Sequence, residues 1–174
     1  MMKKMLCVVA SALLVLGLAA CSGGSSSQSP EPEIALPEGT TLQNVVDEVS
    51  ETFGFCMPGE LTDELMTDLI GVDMADVKEY AGYVTMTMTS ADNLIAVKAA
   101  EGKTDAVKAV LEEHLEYVRQ SFERYLPAQK EKAAAGQVFT VGDYVFLVII
   151  GDSDKDLSQQ AADAKAQIEA CFHS

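Results

Sequence analysis

Tyr144-Val145-Phe146-Leu147-Val148-Ile149-Ile150 is apolar at every position. A run of this kind predicts a central, well-covered strand. Gly142-Asp143 precedes it, a glycine-first turn signal, and Gln137 to Val141 reads as the other arm of a hairpin. Further upstream the period is two. Tyr83, Thr85, Thr87 and Thr89 alternate with Val84, Met86 and Met88. This predicts a third strand with an apolar face and a hydroxyl-rich face, in an antiparallel sheet covered on one side. Asn93 to Ala99, centred on Leu94-Ile95-Ala96-Val97, is the fourth strand, with Ser90-Ala91-Asp92 as the turn.

Helical periods surround these strands. Thr40-Thr41-Leu42-Gln43 reads as a capping box. Leu42, Val45, Val46, Val49 and Phe53 then share one helical face, and Gly54 is placed to end it. Thr62 is placed to cap a short helix carrying Leu65, Met66, Leu69 and Ile70, closed by Gly71. Asp73 is placed to cap another over Met74 to Tyr80. The longest helix starts at Thr104 or Asp105 and runs to about Leu126, where Pro127 stops it. A final helix opens at Ser153 with Asp156 and carries Leu157, Ala161, Ala164, Ile168, Cys171 and Phe172. The expected fold class is α+β: a two-layer domain with a four-stranded antiparallel sheet. Two long amphipathic helices cover one face, and short N-terminal helices cover an edge or end.

The N-terminus has a different character. Lys3 and Lys4 precede an uncharged apolar run, Met5 to Ala20, which ends in Leu18-Ala19-Ala20-Cys21. This is the pattern of a secretory leader with a lipid-accepting cysteine. It predicts a signal peptide over 1–20, lipid on Cys21, and an extracytoplasmic chain attached to the membrane through that lipid. Ser22 to Pro37 is rich in Ser, Gly and Pro, with too few apolar residues to bury. The predicted organisation is a lipidated, disordered tether over 21–39 and one α+β domain over 40–174. A coil of that length reaches roughly 20–25 Å.

Charge excludes some partners. Acidic residues number 27 against 12 basic ones, a net charge of −15, and loss of Lys3 and Lys4 with the leader takes it to −17. So acidic a surface repels phosphate backbones, so no nucleic-acid partner is expected. It also repels anionic head groups, which leaves acyl chains as the membrane contact.

Candidate chemistry is sparse. Cys56 and Cys171 remain after Cys7 leaves and Cys21 is lipidated. In an exported compartment they could form a disulfide across more than a hundred residues, worth roughly 4–5 kcal/mol, or be two small buried hydrophobes that never meet. Asp152, Asp154 and Asp156 alternate as at the start of a calcium loop. The sixth and twelfth positions hold Leu157 and Asp163 where that loop wants Gly and Glu, which favours acids at a helix N-terminus. His114, three residues after Leu111, reads as a packing histidine; the sharper alternative makes it a base for Cys56. No metal site, cofactor or catalytic set is expected: G-x-S-x-G, H-E-x-x-H, C-x-x-C and a phosphate-binding glycine loop are all missing from the sequence. The most suggestive surface is Tyr83, Thr85, Thr87 and Thr89, read either as an ordinary exposed sheet face or as a docking face for an envelope protein or glycan. The expected function is a non-enzymatic binding or adaptor module of the cell envelope. The alternative is a hydrolase-like enzyme using carboxylates and His114.

Several segments carry a family resemblance. They are Ile70-Gly71-Val72-Asp73-Met74-Ala75-Asp76-Val77-Lys78-Glu79-Tyr80, Asp92-Asn93-Leu94-Ile95-Ala96-Val97, Val107-Lys108-Ala109-Val110-Leu111-Glu112, Gln120-Ser121-Phe122-Glu123-Arg124-Tyr125-Leu126-Pro127 and Gly142-Asp143-Tyr144-Val145-Phe146-Leu147-Val148. In order and spacing the chain resembles the lipoproteins grouped as domain of unknown function 4358 (DUF4358), common in Firmicutes. The resemblance implies no known activity and no known catalytic residue, and Cys56 and Cys171 lie outside it. It implies a Gram-positive host, with the anchor in the outer leaflet of the plasma membrane.

Overall fold

The computed structural model describes residues 34–173. The leader, Cys21 and most of the expected tether lie outside them. Among the described residues five strands form one antiparallel sheet, ordered β1-β2-β3-β5-β4. They are β1 Pro58–Glu60, β2 Val77–Thr85, β3 Asn93–Ala99, β4 Gln137–Val141 and β5 Tyr144–Ile149. The helices are α1 Leu42–Phe53, α2 Thr104–Phe122, α3 Pro127–Ala135 and α4 Leu157–Cys171, with a single wide helical turn at Leu65–Ile70.

The four-strand, two-layer expectation is corrected twice. A fifth strand, β1, pairs with β2 through Pro58↔Thr85 and Glu60↔Tyr83; three residues are too few to show a period in sequence. The sheet is also covered on both faces. Val145, Leu147 and Ile149 pack under α2 with Ile95 and Val97. Tyr144, Phe146 and Val148 pack under α1 and α4 with Leu94 and Ala96. The two long helices therefore lie on opposite faces. A strand apolar at every position has two faces to bury, and one helical layer dries only one of them.

Local chemistry explains the element ends. Thr41 caps α1, its hydroxyl accepting from Asn44 N–H while the Asn44 side chain accepts from Thr41 N–H. The box thus sits one residue later than Thr40-Gln43. The Thr62 hydroxyl accepts from Leu65 N–H, and left-handed Gly71 closes that turn. The helix expected over Met74 to Tyr80 is only a tight turn at Met74–Asp76 under an Asp73 cap, and β2 begins at Val77. The strand expected over Tyr83 to Thr89 therefore starts six residues early and stops at Thr85.

The long helix ends at Phe122, four residues short of Leu126, which is itself left-handed at φ 51°. Pro127 stops nothing; it is the first residue of α3, a position where a missing N–H costs nothing. The Arg119 guanidinium donates to the carbonyls of Ala133, Ala134 and Gly136 and so closes the C-terminal end of α3. Asp156 caps α4 by accepting from Gln159 N–H, and Asp152 accepts from Asp154 N–H, so these acids serve the helix start and the loop before it.

Candidate functional site

The loop from Ser90 to Asn93 joins β2 to β3 and is buried although it is polar. Burial of such groups is tolerated only when each finds a partner. Asp92 is 1 % exposed; its Oδ1 accepts from Lys132 Nζ of α3 at 2.7 Å and its Oδ2 from Cys56 N–H at 2.9 Å. Ala91 N–H donates to the Gln129 side chain, also on α3. Asn93 Nδ2 donates to Ala91 C=O, which fixes the amide orientation. Its Oδ1 then faces His114 Nε2 at 3.1 Å and must accept, so Nε2 carries the proton. Three segments far apart in sequence thus hold one loop: the residues before β1, the middle of α2, and α3.

Beside this loop, between it and the second half of α2, runs an open groove of about 500 Å³. Buried Asn93 and His114 both line it. Tyr117, Phe122 and Tyr125 contribute rings on one side, with Met88 and Leu69 also lining it. Thr85, Thr87, Ser90 and Ser121 add hydroxyls. Among the described residues lining it none is acidic or basic except His114. Seven large apolar side chains are exposed among the described residues, and four of them, Leu69, Met88, Tyr117 and Tyr125, line this groove. Exposed apolar surface gathered in one concave place marks a binding site more often than scattered residues do.

His114 is 4 % exposed and lies near-parallel to the Tyr117 ring at 6.1 Å between centroids. Burial pulls its pKa down from 6.5 to about 4. The unfolded chain takes up this proton below 6.5, the folded chain only near 4. The stability held in the neutral ring is therefore complete above pH 6.5 and is lost as pH falls towards 4, about 3 kcal/mol in all. Urea midpoints of the wild type should fall more steeply between pH 7 and 4 than those of His114→Gln. Parallel falls would show that the ring is hydrated in the folded state.

The residues singled out in the sequence separate. Thr85 and Thr87 line the groove, while Tyr83 packs with Phe55 and α1. Its hydroxyl donates to Asp47 at 2.7 Å, a bond that with burial pushes its pKa up to about 12. Thr85 donates to Cys56 C=O, and Thr87 and Thr89 bond each other in the turn beyond β2. Tyr83 and Thr85 alone share a face of β2; the strand ends at Thr85, so Thr87 and Thr89 do not continue it. Cys56 and Cys171 are both free. Cys56 is exposed before β1, while Cys171, its thiol pKa raised mainly by burial, donates to Gln167 C=O. Lys132, Gln129 and Asn93 were not legible as site residues. The one signal was Pro127, which at a first helical position announces a helix that would carry Gln129 and Lys132.

Fold and groove together define a three-layer α+β domain with an uncharged cleft at one end of its sheet. A family model described as Domain of unknown function (DUF4358) matches residues 55–150. That is more than half of the chain, and the chain belongs to this family. The matched span holds all five strands, α2, α3 and every residue lining the groove, whereas α1 and α4 lie outside it. No curated protein and no solved structure matches the chain.

Proposed function

We propose that this chain is a lipid-anchored extracytoplasmic binding module, held to the membrane through Cys21, whose groove recognises a ligand without transforming it. The observation that carries the reading is the concentration of exposed Leu69, Met88, Tyr117 and Tyr125 around an uncharged groove. Tyrosine rings supply contact area at low entropic cost, and a methionine adapts its shape to what it meets. The catalytic alternative draws less support, because a histidine held near pKa 4 is a poor proton acceptor at neutral pH.

The geometry also suits a tethered module. Ile34, where the described chain begins, lies against Gly142 in the β4–β5 turn. That turn is at the Ala99 end of β3, where Ala99 N–H donates to Asp143 C=O. The groove is at the Asn93 end, about 20 Å away at the rise of a strand. A domain suspended from its N-terminal side would carry the groove on its far end.

Two measurements test this. The intact mass of the protein from its own host should lack residues 1–20 and carry acyl mass on Cys21; an uncut, unacylated chain overturns the anchoring. A photocrosslinker placed at Tyr117 in living cells should give a discrete adduct that Met88→Lys abolishes. Met88 is 87 % exposed, so this change should alter unfolding free energy by no more than about 0.5 kcal/mol. No adduct, or one indifferent to Met88→Lys, overturns the groove assignment.

A further inference from the structure

Resting on the groove reading above, we infer that its occupant is an extended peptide segment that places an apolar side chain in the groove and an adjacent lysine or arginine beyond its Leu69 end. Three observations carry this. The first is an unused acceptor. His114 Nε2 is committed to Asn93, so Nδ1 of the neutral ring holds a lone pair. No bond to Nδ1 is made within the described structure, and among the described residues no fully buried side-chain nitrogen lacks a partner. Nδ1 therefore keeps accessible surface, and the surface that His114 lines is this groove and the concavity beside it. An occupant that covers Nδ1 must offer it a hydrogen-bond donor or leave it buried and unpaired, which weakens binding. A peptide N–H is such a donor.

The second observation is the sheath of apolar and aromatic side chains, which accepts an uncharged body but offers no partner to a charge. The third is the neighbouring concavity. It shares Leu69, His114 and Tyr117 with the groove and adds the exposed carboxylates of Asp68 and Glu113. Neither carboxylate has a cationic partner in the described structure. An occupant that spans both therefore meets apolar surface, then an acceptor, then negative charge. The chain's net charge of −15 adds attraction for a basic segment at long range.

The test uses the full chain, isotope-labelled, and two probes: a capped Gly-Phe-Lys-Gly peptide and the same peptide acetylated on the lysine amine. Amide shifts should cluster at His114, Tyr117 and Leu69, and the His114 Nδ1 resonance should move as it gains a donor. Acetylation should weaken binding at least fivefold. The double variant Asp68→Asn/Glu113→Gln should bind both peptides equally, at the acetylated peptide's affinity. Equal affinity of the two peptides for the wild type would overturn the cationic part. Shifts elsewhere, or none, would overturn the peptide occupant. The crosslink at Tyr117 separates these failures from failure of the groove itself: an adduct without peptide binding removes only the occupant.

Discussion

Replacing Asp92 by alanine should lower the unfolding free energy by about 3–5 kcal/mol, the usual cost of stranding one member of a buried ion pair. The carboxylate and the Lys132 ammonium are 2.7 Å apart, with side chains only 2 % and 8 % exposed. Removing the carboxylate leaves the ammonium without its counter-ion and also strands the Cys56 N–H. The pair need not be stabilising in itself, since exchanging both partners for apolar groups of similar size is often neutral or better. Asp92→Leu with Lys132→Met should therefore recover most of the loss. Urea denaturation of the two singles and the double measures the coupling directly. A loss below about 1 kcal/mol for Asp92→Ala would mean that water reaches Lys132 and that the loop is not held as described. Because the same loop carries Asn93, which lines the groove, Asp92→Ala should also broaden the His114 and Tyr117 signals.

Gly82→Ala should be at least as damaging, about 4 kcal/mol or more, in the range reserved for a few distinct mechanisms. Gly82 sits inside β2 at φ +149°, opposite Ile95 of β3. A Cβ there would collide with the Leu94 carbonyl oxygen and come within 3.0 Å of Ile95 Cα and 2.9 Å of Leu61 Cδ1. Two of these are backbone atoms of the paired strand, which cannot move without parting the ladder. Gly102→Ala is the control for a positive φ without a clash. Its φ of +72° lies close to the left-handed region that alanine enters at modest cost, and nothing lies within 4 Å of the added carbon. It should cost only about 1 kcal/mol of backbone strain. If thermal or urea unfolding shows the two variants equally affected, the close approach of β3 to Gly82 is not as described.

These two positions show where sequence patterns stop. Gly82 stands between Ala81 and Tyr83 with nothing nearby to show that a neighbouring backbone passes so close. Ser90-Ala91-Asp92 does fall between the two strands, but the turn itself comes earlier, at Met88 and Thr89, and a composition that says exposed meets a structure that says buried. The difference comes from Lys132 and Gln129, forty and thirty-eight residues away. His114 was legible as a packing residue with one satisfied nitrogen, since it follows Leu111 on the apolar stripe of α2. That its other nitrogen faces a groove was not, because the groove's opposite wall comes from the β2–β3 turn.

Local order was written in the chain itself. The alternation and apolar runs of Asn93 to Ala99, Gln137 to Val141 and Tyr144 to Ile149 placed three strands, and Gly142-Asp143 placed their hairpin. Helical spacing placed α1, α2 with an overrun past Phe122, and α4. A period says which side of an element is apolar; it does not say what covers it. Tertiary packing alone put α2 and α4 on opposite faces, recruited Pro58–Glu60 as a fifth strand, and tied the buried Asp92–Lys132 pair to the backbone of exposed Cys56. It also left Tyr117 and Met88 uncovered around His114. Those outcomes depend on sums of contacts between distant segments, and such sums take definite values only once the chain has closed on itself.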